Sequence, residues 1–402
     1  MVKNANSGVR TKLTTDEYLQ RLCDLVTPAV VTEIVPVRQC LTRVLATDVS
    51  AQLAIPPFTN SAMDGFAVRV ADGSPLPVVG AVFAGSLPTP LAPGTALKIM
   101  TGAPLPTGAD AVVPIEDCQE ADGLVRFTAP PRLGQHIRLA GEDRRPGDTL
   151  IAKGTLLAAR HLAAAAAAGS TELPVAGRPR VAIIVTGDEV TPTGAGIGPG
   201  RLPDSNGPFL EAAVTAVGCA TTLTHGRDDA SALKAVLDEV ASADLIVLTG
   251  GASVGDRDVA RDVLSEAGGH FVHVAMQPGK PQGYGHWGGT PVIALPGNPV
   301  SVAVSWAVFV RPVLLAMLGQ TPDAQRWCTA SQPWDSPAGR RQYMPVALTE
   351  NAQGHLQARP ATPGGSASHY VGSLAMADGL AVVPEQTTQV QPSDVLQLLD
   401  LA

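Results

Sequence analysis

Three short runs of the chain are apolar without alternation: residues 181–185 (VAIIV), 245–248 (LIVL) and 291–295 (PVIAL). A strand with one wet face alternates apolar and polar positions, whereas a strand buried on both faces does not. Between these runs the spacing turns helical, at residues 208–217 (closed by Gly218), 230–241, 258–267 and from Pro299 onward. Strand–helix alternation of this kind predicts a parallel α/β domain over residues 179–327.

The rest of the chain has another rhythm. Between residues 50 and 147, short β-prone runs at 77–84, 96–100, 111–115, 124–128 and 136–139 are separated by Gly and Pro, with no amphipathic helix. This predicts a β-rich inserted domain. Residues 13–27 predict a helix: Thr14 or Thr15 can cap it, and Leu19, Leu22 and Val26 share a face. Residues 158–168 predict a second helix, with Gly169 as its left-handed stop. We expect residues 1–49 and 148–178 to form one small discontinuous helical domain around the insert. The tail, 328–402, returns to short β-prone runs at 343–348, 380–383 and 395–398, and predicts an all-β C-terminal domain. The alanine-rich stretch 156–168 is too short to span a bilayer, and 300–318 is interrupted by Arg311-Pro312. Both read as buried helices, and no membrane association is expected.

Composition narrows the function. Lys+Arg total 28 against 36 Asp+Glu, a net charge of −8. That balance excludes a general nucleic-acid binder, since phosphate backbones are held by Lys and Arg. Hydrophobic residues make up 45% of the chain, enough for several cores. The cysteines (Cys23, Cys40, Cys118, Cys219 and Cys328) are odd in number and scattered, without a CxxC pair. Such a set suits a reducing, cytoplasmic compartment. The N-terminus has no apolar signal-peptide core.

The candidate chemistry lies where the three apolar runs end. The first runs into Thr186-Gly187-Asp188-Glu189, the second into Thr249-Gly250-Gly251-Ala252-Ser253, and the third into Pro296-Gly297-Asn298-Pro299. Ligands of open parallel sheets bind beyond the carboxyl ends of the strands. Glycine there lets backbone N–H groups approach an anion, and a following helix N-terminus adds unpaired donors. Three such loops at one edge make a phosphate cradle; ordinary turn glycines are the plainer reading of any one of them. The same loops are acidic: Asp188, Glu189, Asp204 with Ser205 and Asn206, Asp228, Asp229, Asp256 and Asp258. Helix capping would explain Asp229 and competes evenly for Asp204. Glu189 and Asp258 suggest instead a divalent cation that offsets the repulsion between carboxylates and phosphate. Lys280, in Pro278-Gly279-Lys280-Pro281, is a point charge suited to an oxyanion. The insert holds three polar turns, around Ser61 and Asp64, around Thr101, and around Asp143. His270 and His273, three apart in a strand, point to opposite faces and read as structural, as does His161.

In combination and order, NSAMDGFAV, IMTGAPLPTGADAVVPIED, GEDRRPGD, VTGDE, PDSNG, LTGGASVGDRD, PGKP and LPGNPVS resemble the molybdopterin molybdenumtransferase (MoeA) family, which includes the gephyrin E domain. The resemblance covers residues 12–395. It implies an elongated four-domain subunit that forms a homodimer. It also implies the last step of molybdenum cofactor synthesis: adenylylated molybdopterin and molybdate give the molybdenum-loaded pterin and AMP, with Mg²⁺ required. The family's cleft residues fall on Asp64, Thr101, Asp143, Glu189, Asp228 and Asp258, with Glu189, Asp228 and Asp258 as metal ligands. Substrate contacts are implied for Ser61, Thr186, Gly187, Asp188, Ser205, Asn206, Thr249, Gly250, Gly251, Ser253, Lys280, Pro296, Gly297 and Asn298. The cleft would form between the α/β domain of one subunit and the insert of the other. The candidate protein partners are a molybdopterin adenylyltransferase and molybdoenzyme apoproteins. Two departures stand out: Gln277 where relatives often have Lys, and Phe66 in place of Tyr after MDG. The other readings are the adenylyltransferase itself, which shares the α/β domain, and a non-catalytic scaffold of the gephyrin kind.

Overall fold

The computed structural model describes residues 12–26, 31–250, 258–320 and 324–401. Compactness divides the chain into two units. One gathers the chain up to Glu33, Thr42–Ala46 and everything from Ala176 on; the other takes Ile34–Leu41 and Thr47–Val175.

The first unit is built on a seven-stranded sheet, ordered Lys12–Leu13, His270–Val274, Pro281–Trp287, Thr290–Leu295, Leu245–Thr249, Arg180–Thr186, Ala220–Gly226. The last four of these are mutually parallel, as the apolar runs predict. Both faces are covered, which explains the absence of alternation. Val181, Ile183, Val185, Val247 and Leu295 face the helices Asn206–Ala216 and Pro299–Ser305. Ala182, Ile184, Ile246, Leu248 and Ala294 face Ala230–Glu239 and Val259–Glu266. The sheet departs from the expected all-parallel form at Pro281–Trp287, which runs antiparallel to both neighbours. The cause is local. Gly288 and Gly289, both at positive φ, join Trp287 to its cross-strand partner Thr290 in a two-residue turn, and such turns close antiparallel hairpins.

Arg180–Thr186 leads first to Ala220–Gly226 on one side, then to Leu245–Thr249 on the other. The order reverses between the 180–186 and 245–249 strands, so the crevice for a ligand lies between their carboxyl ends. The apolar segment from Pro299 forms one helix to Met317, with a π turn at Trp306–Val310. It is long and apolar enough to cross a membrane, yet it is mostly buried inside this unit.

The helix Thr15–Leu25 has Thr14 as its cap, with Glu17 reciprocating. Its place differs from the expected helical domain. Tyr18 and Leu22 are fully buried in the α/β core, Tyr18 stacks edge-on to Phe309, and its hydroxyl donates to the Gly283 carbonyl at 3.0 Å. The other helix, Ala159–Ala167, belongs to the second unit. There His161 Nδ1 accepts the Ala158 N–H at 3.0 Å, a structural role.

The C-terminal strands Arg341–Glu350, Leu356–Pro360, Arg326–Ala330, Val395–Leu399 and Gly379–Val383 pair in that order, and the last returns to the first, closing a small barrel. It is not wholly β: Val371–Leu374 is a short helix. Met276–Gln277 pairs in parallel with the start of the 341–350 strand. The second unit carries the insert's six-stranded sheet, in which the strands Leu76–Val82, Ala96–Ile99, Ala111–Pro114 and Leu124–Phe127 fall on predicted runs.

Candidate active site

The crevice is shaped by glycines with no room for a side chain. A Cβ on Gly250 would lie 2.2 Å from the Thr186 carbonyl oxygen. Gly187 and Gly250 both take positive φ, and a Cβ on Gly297 would touch Gly250 Cα at 3.4 Å. The three strand-end loops therefore pack backbone to backbone. Side chains lock them together. Thr186 Oγ1 donates to the Thr249 carbonyl at 3.3 Å, and Thr249 Oγ1 donates to the Pro296 carbonyl at 3.1 Å. Asn206, first residue of its helix, donates through Nδ2 to Thr249 Oγ1 at 3.2 Å and to the Gly297 carbonyl at 2.8 Å. Thr186, Asn206, Thr249, Pro296 and Gly297 thus converge as predicted. Gly251, Ser253 and Asp256 lie outside the described residues.

The acidic residues separate by role. Asp188 and Asp228 meet: each carboxylate accepts the other's backbone N–H, at 3.2 and 3.4 Å. Arg201 holds the Asp188 carbonyl. Asp229 caps its helix through the Ala232 N–H, and the Ser231 hydroxyl, followed by that N–H, holds its carboxyl below the usual range. Asp204 is buried. It accepts the Gly207 N–H at 2.9 Å and sits 2.9 Å from His225 Nε2, so it caps the 206–216 helix where the Ser205 side chain does not. Asp258 is the N-cap of Val259–Glu266 and accepts the Arg261 N–H at 3.0 Å.

The expected metal triad of Glu189, Asp228 and Asp258 is not assembled: among the described residues no three acidic, His or Cys side chains gather to hold an ion. One Asp258 oxygen caps its helix, and the carboxylate hydrogen-bonded across to Asp228 is that of Asp188. Two carboxylates on adjacent loops still fit a magnesium ion that completes its shell with water and substrate phosphate. His270 and His273 lie on one strand, and no metal cluster includes them.

A second feature adjoins the crevice through the Pro296–Asn298 loop. A cavity of about 300 Å³ is lined by Gln277, Lys280, Asn298, Ser301, Arg340 and Ser368, among others. Lys280 projects from a loop anchored beneath. Gln282, almost fully buried, donates to the Gly279 carbonyl and to Ser305 Oγ, both at 2.7 Å. Asn298 Nδ2 donates to Ser368 Oγ at 3.0 Å, and the Ser368 carbonyl accepts the Val300 N–H at 3.0 Å. Two cations, Lys280 and Arg340, and three serines, Ser301, Ser366 and Ser368, around a small polar space suit a tetrahedral oxyanion. No sequence signal singles out Ser301, Arg340 or Ser368 as site residues. Ser301 follows PGNPV and was within reach as the first-turn hydroxyl of that helix; nothing local marks Arg340 or Ser368. A larger cavity of about 680 Å³ shares Gln277 and Ser366 with the first and opens against Asp335 and Arg359.

In the second unit, Asp64 Oδ1 accepts both the N–H and the hydroxyl of Thr101, at 2.6 and 2.8 Å. Those bonds, the N–H first, hold its carboxyl below the usual range. Asp64 and Thr101 are thus brought together. Ser61 has a structural bond here. It is fully buried and donates to the Met63 carbonyl at 2.5 Å, which fixes the turn. Asp143 is exposed and pairs with Arg144 at 3.1 Å.

Three family models match in sequence. Residues 13–169 match the MoeA N-terminal region (domains I and II), 182–316 a probable molybdopterin binding domain, and 328–401 the MoeA C-terminal region (domain IV). Molybdopterin molybdenumtransferase 2 of Mycobacterium tuberculosis is 41% identical over 388 residues, covering 91% of this chain and 94% of its own. The molybdopterin molybdenumtransferase of Synechococcus elongatus is 37% identical over 337 residues, 79% of this chain and 83% of its own. A crystal structure of a Pyrococcus horikoshii molybdopterin biosynthesis MoeA protein superposes with a TM-score of 0.82 at 31% identity, covering 98% of this chain and 100% of that one.

Proposed function

The chain belongs to the MoeA family, and from that premise we propose that it transfers molybdenum from molybdate to adenylylated molybdopterin, releasing AMP. The observation that carries this reading is the Pro296–Asn298 loop, which is at once a wall of the glycine crevice and a wall of the oxyanion cavity. A reaction that joins an oxyanion to a ligand held by its phosphates needs those two subsites side by side.

In this reading the backbone at Gly187, Gly250 and Gly297 cradles the pyrophosphate. Lys280 and Arg340, with the hydroxyls of Ser301 and Ser368, hold molybdate. Asp188 and Asp228 are the residues that would hold Mg²⁺, which when bound neutralises phosphate charge. The dithiolene of the substrate supplies the ligands to molybdenum, so the protein needs no nucleophile. Its work is to position two anions together and to offset their repulsion.

The working unit is a homodimer, in which Asp64, Thr101 and Asp143 of one subunit complete the cleft of the other. Free, dispersed thiols accord with a cytoplasmic setting. A molybdopterin adenylyltransferase would supply the substrate, and apo-molybdoenzymes would take the product. The test is AMP release from adenylylated molybdopterin by the purified protein, with and without molybdate and Mg²⁺. Release that needs both, with molybdenum appearing on the pterin, is the expected result. Release indifferent to molybdate, or none from a folded dimer, would refute the transferase reading.

A further inference from the structure

We propose that Gln277 is a positioning residue that sets the arginine of the oxyanion cavity. The inference rests on the reading of that cavity given above.

Two consecutive arginines begin the barrel strand at residue 341, and they have opposite fates. Arg341 is tied down by charge: it pairs with both oxygens of Asp16, at 2.8 and 3.2 Å, and with Glu385 at 2.9 Å. Its backbone N–H donates to the Ala275 carbonyl at 2.9 Å. Arg340, one residue earlier, lines the cavity and has no carboxylate partner among the described residues. Its Nη1 donates instead to the side-chain oxygen of Gln277 at 3.0 Å.

That partner is itself fixed. Met276–Gln277 pairs in register with Arg341 and Gln342, so the backbones carrying Gln277 and Arg340 are joined by strand hydrogen bonds. A free arginine side chain has many rotamers to lose on binding. Here one donor of the guanidinium is occupied by a neutral acceptor, which restricts the side chain without cancelling its charge. The remaining donors keep their planar fork, the geometry suited to two oxygens of one anion. A carboxylate at 277 would neutralise Arg340, and an apolar side chain would release it. An amide does neither. The cavity therefore holds its oxyanion by one exposed charge, Lys280, and one preset charge, Arg340, and Gln277 makes the second one preset. Preorganisation of this kind lowers the cost of ordering at the moment of binding.

The experiment is a double-mutant cycle on the full chain with Gln277→Met, Arg340→Met and the pair. Sodium molybdate is the probe by calorimetric titration, with sodium sulfate as competitor. KM for molybdate and kcat are read from AMP release. Gln277→Met is expected to weaken molybdate binding about tenfold and raise KM by a similar factor, while kcat stays within about twofold and the melting temperature is unchanged. Arg340→Met is expected to weaken binding more, and the pair no more than Arg340→Met alone, because the amide acts through the arginine. Wild-type affinity in Gln277→Met, or losses that multiply in the pair, overturns the proposal. Wild-type protein that binds neither molybdate nor sulfate removes the oxyanion reading itself, and the proposal with it.

Discussion

The carboxylates of Asp188 and Asp228 each accept the backbone N–H of the other residue, at 3.4 and 3.2 Å, and so tie together the loops that follow two adjacent parallel strands. A bond of this kind needs an acceptor but no charge, whereas a cation needs the charge. Asp228→Asn separates the two. The amide oxygen can still accept from Asp188, so the loops and the melting temperature are expected to stay as they are. Turnover is expected to fall about tenfold or more, equivalent to at least about 1.4 kcal/mol of barrier, with a higher Mg²⁺ requirement. AMP release titrated against Mg²⁺ measures both. An unchanged Mg²⁺ curve would refute the proposal that Asp228 holds the ion.

Asp258 leads to the opposite expectation. Its observed bond is a helix cap to Arg261, and Asn caps as well as Asp. Asp258→Asn is expected to keep stability and most of the activity, while Asp258→Ala loses about 1 kcal/mol. Thermal melts of the two variants, beside their AMP release, decide between cap and ligand. A collapse of turnover in the Asn variant alone would assign the Asp258 charge a part in the reaction beyond the cap.

Much of this site was legible in the sequence because its causes are local. A strand buried on both faces shows as an unbroken apolar run, and a loop with no room for a Cβ shows as glycine. Pro281–Trp287 hid for the same kind of reason turned about. Its glycines clear space for neighbours, since a Cβ on Gly283 would meet the Phe271 ring at 2.6 Å and one on Gly285 would meet Gly269 Cα at 2.8 Å. A strand thinned in this way carries no apolar signal. Arg340 and Ser368 were illegible because they reach the cavity from the C-terminal barrel, more than 40 residues beyond the PGNP loop. The three carboxylates that the resemblance implies for the metal do not gather among the described residues, where Asp228 is instead bonded to Asp188.

Gly250 tests the crevice. A methyl group there would overlap the Thr186 carbonyl, which is backbone and cannot swing aside. The residue also takes φ +109, a conformation that L side chains rarely adopt. Gly250→Ala is expected to destabilise the first unit by about 2–4 kcal/mol. Chemical denaturation monitored at Trp306, buried in the same core, measures it. A loss below about 0.5 kcal/mol would mean the strand ends part easily.

Asp64 gives a pH signature. Thr101 lowers its carboxyl from the ordinary 3.8, chiefly through the backbone N–H and then through the hydroxyl. A carboxyl whose folded value is depressed contributes stability that is present above its unfolded value. That contribution is lost as the pH falls through the folded one. The window therefore lies below about pH 4, and the contact is complete at neutral pH. Thr101→Val removes the hydroxyl and keeps the N–H, so the Asp64 carboxyl is expected to titrate higher than in the wild type but still below 3.8. Carbon-detected NMR titration of Asp64 reads this directly. A value that does not move would show that the hydroxyl bond contributes nothing to the charge on Asp64.

The pair Asp204–His225 links capping to the crevice. The Asp204 side chain is 1% exposed, and its two oxygens are shared between the Gly207 N–H and His225 Nε2. Gly207 cannot be anything larger, since a Cβ would lie 2.4 Å from the same carboxylate. The helix start is thereby fixed, and with it Asn206, whose amide bonds to both Thr249 and the Gly297 loop. Removing the imidazole leaves a buried carboxylate oxygen without its partner, a loss of about 1–3 kcal/mol. His225→Phe is expected to lose that much stability and, by loosening Asn206, to raise KM for the adenylylated pterin more than it lowers kcat. His225→Gln, which can still donate to Asp204, is expected to recover most of both. If the Gln variant behaves like the Phe variant, the ring itself packs the site and the hydrogen bond is incidental.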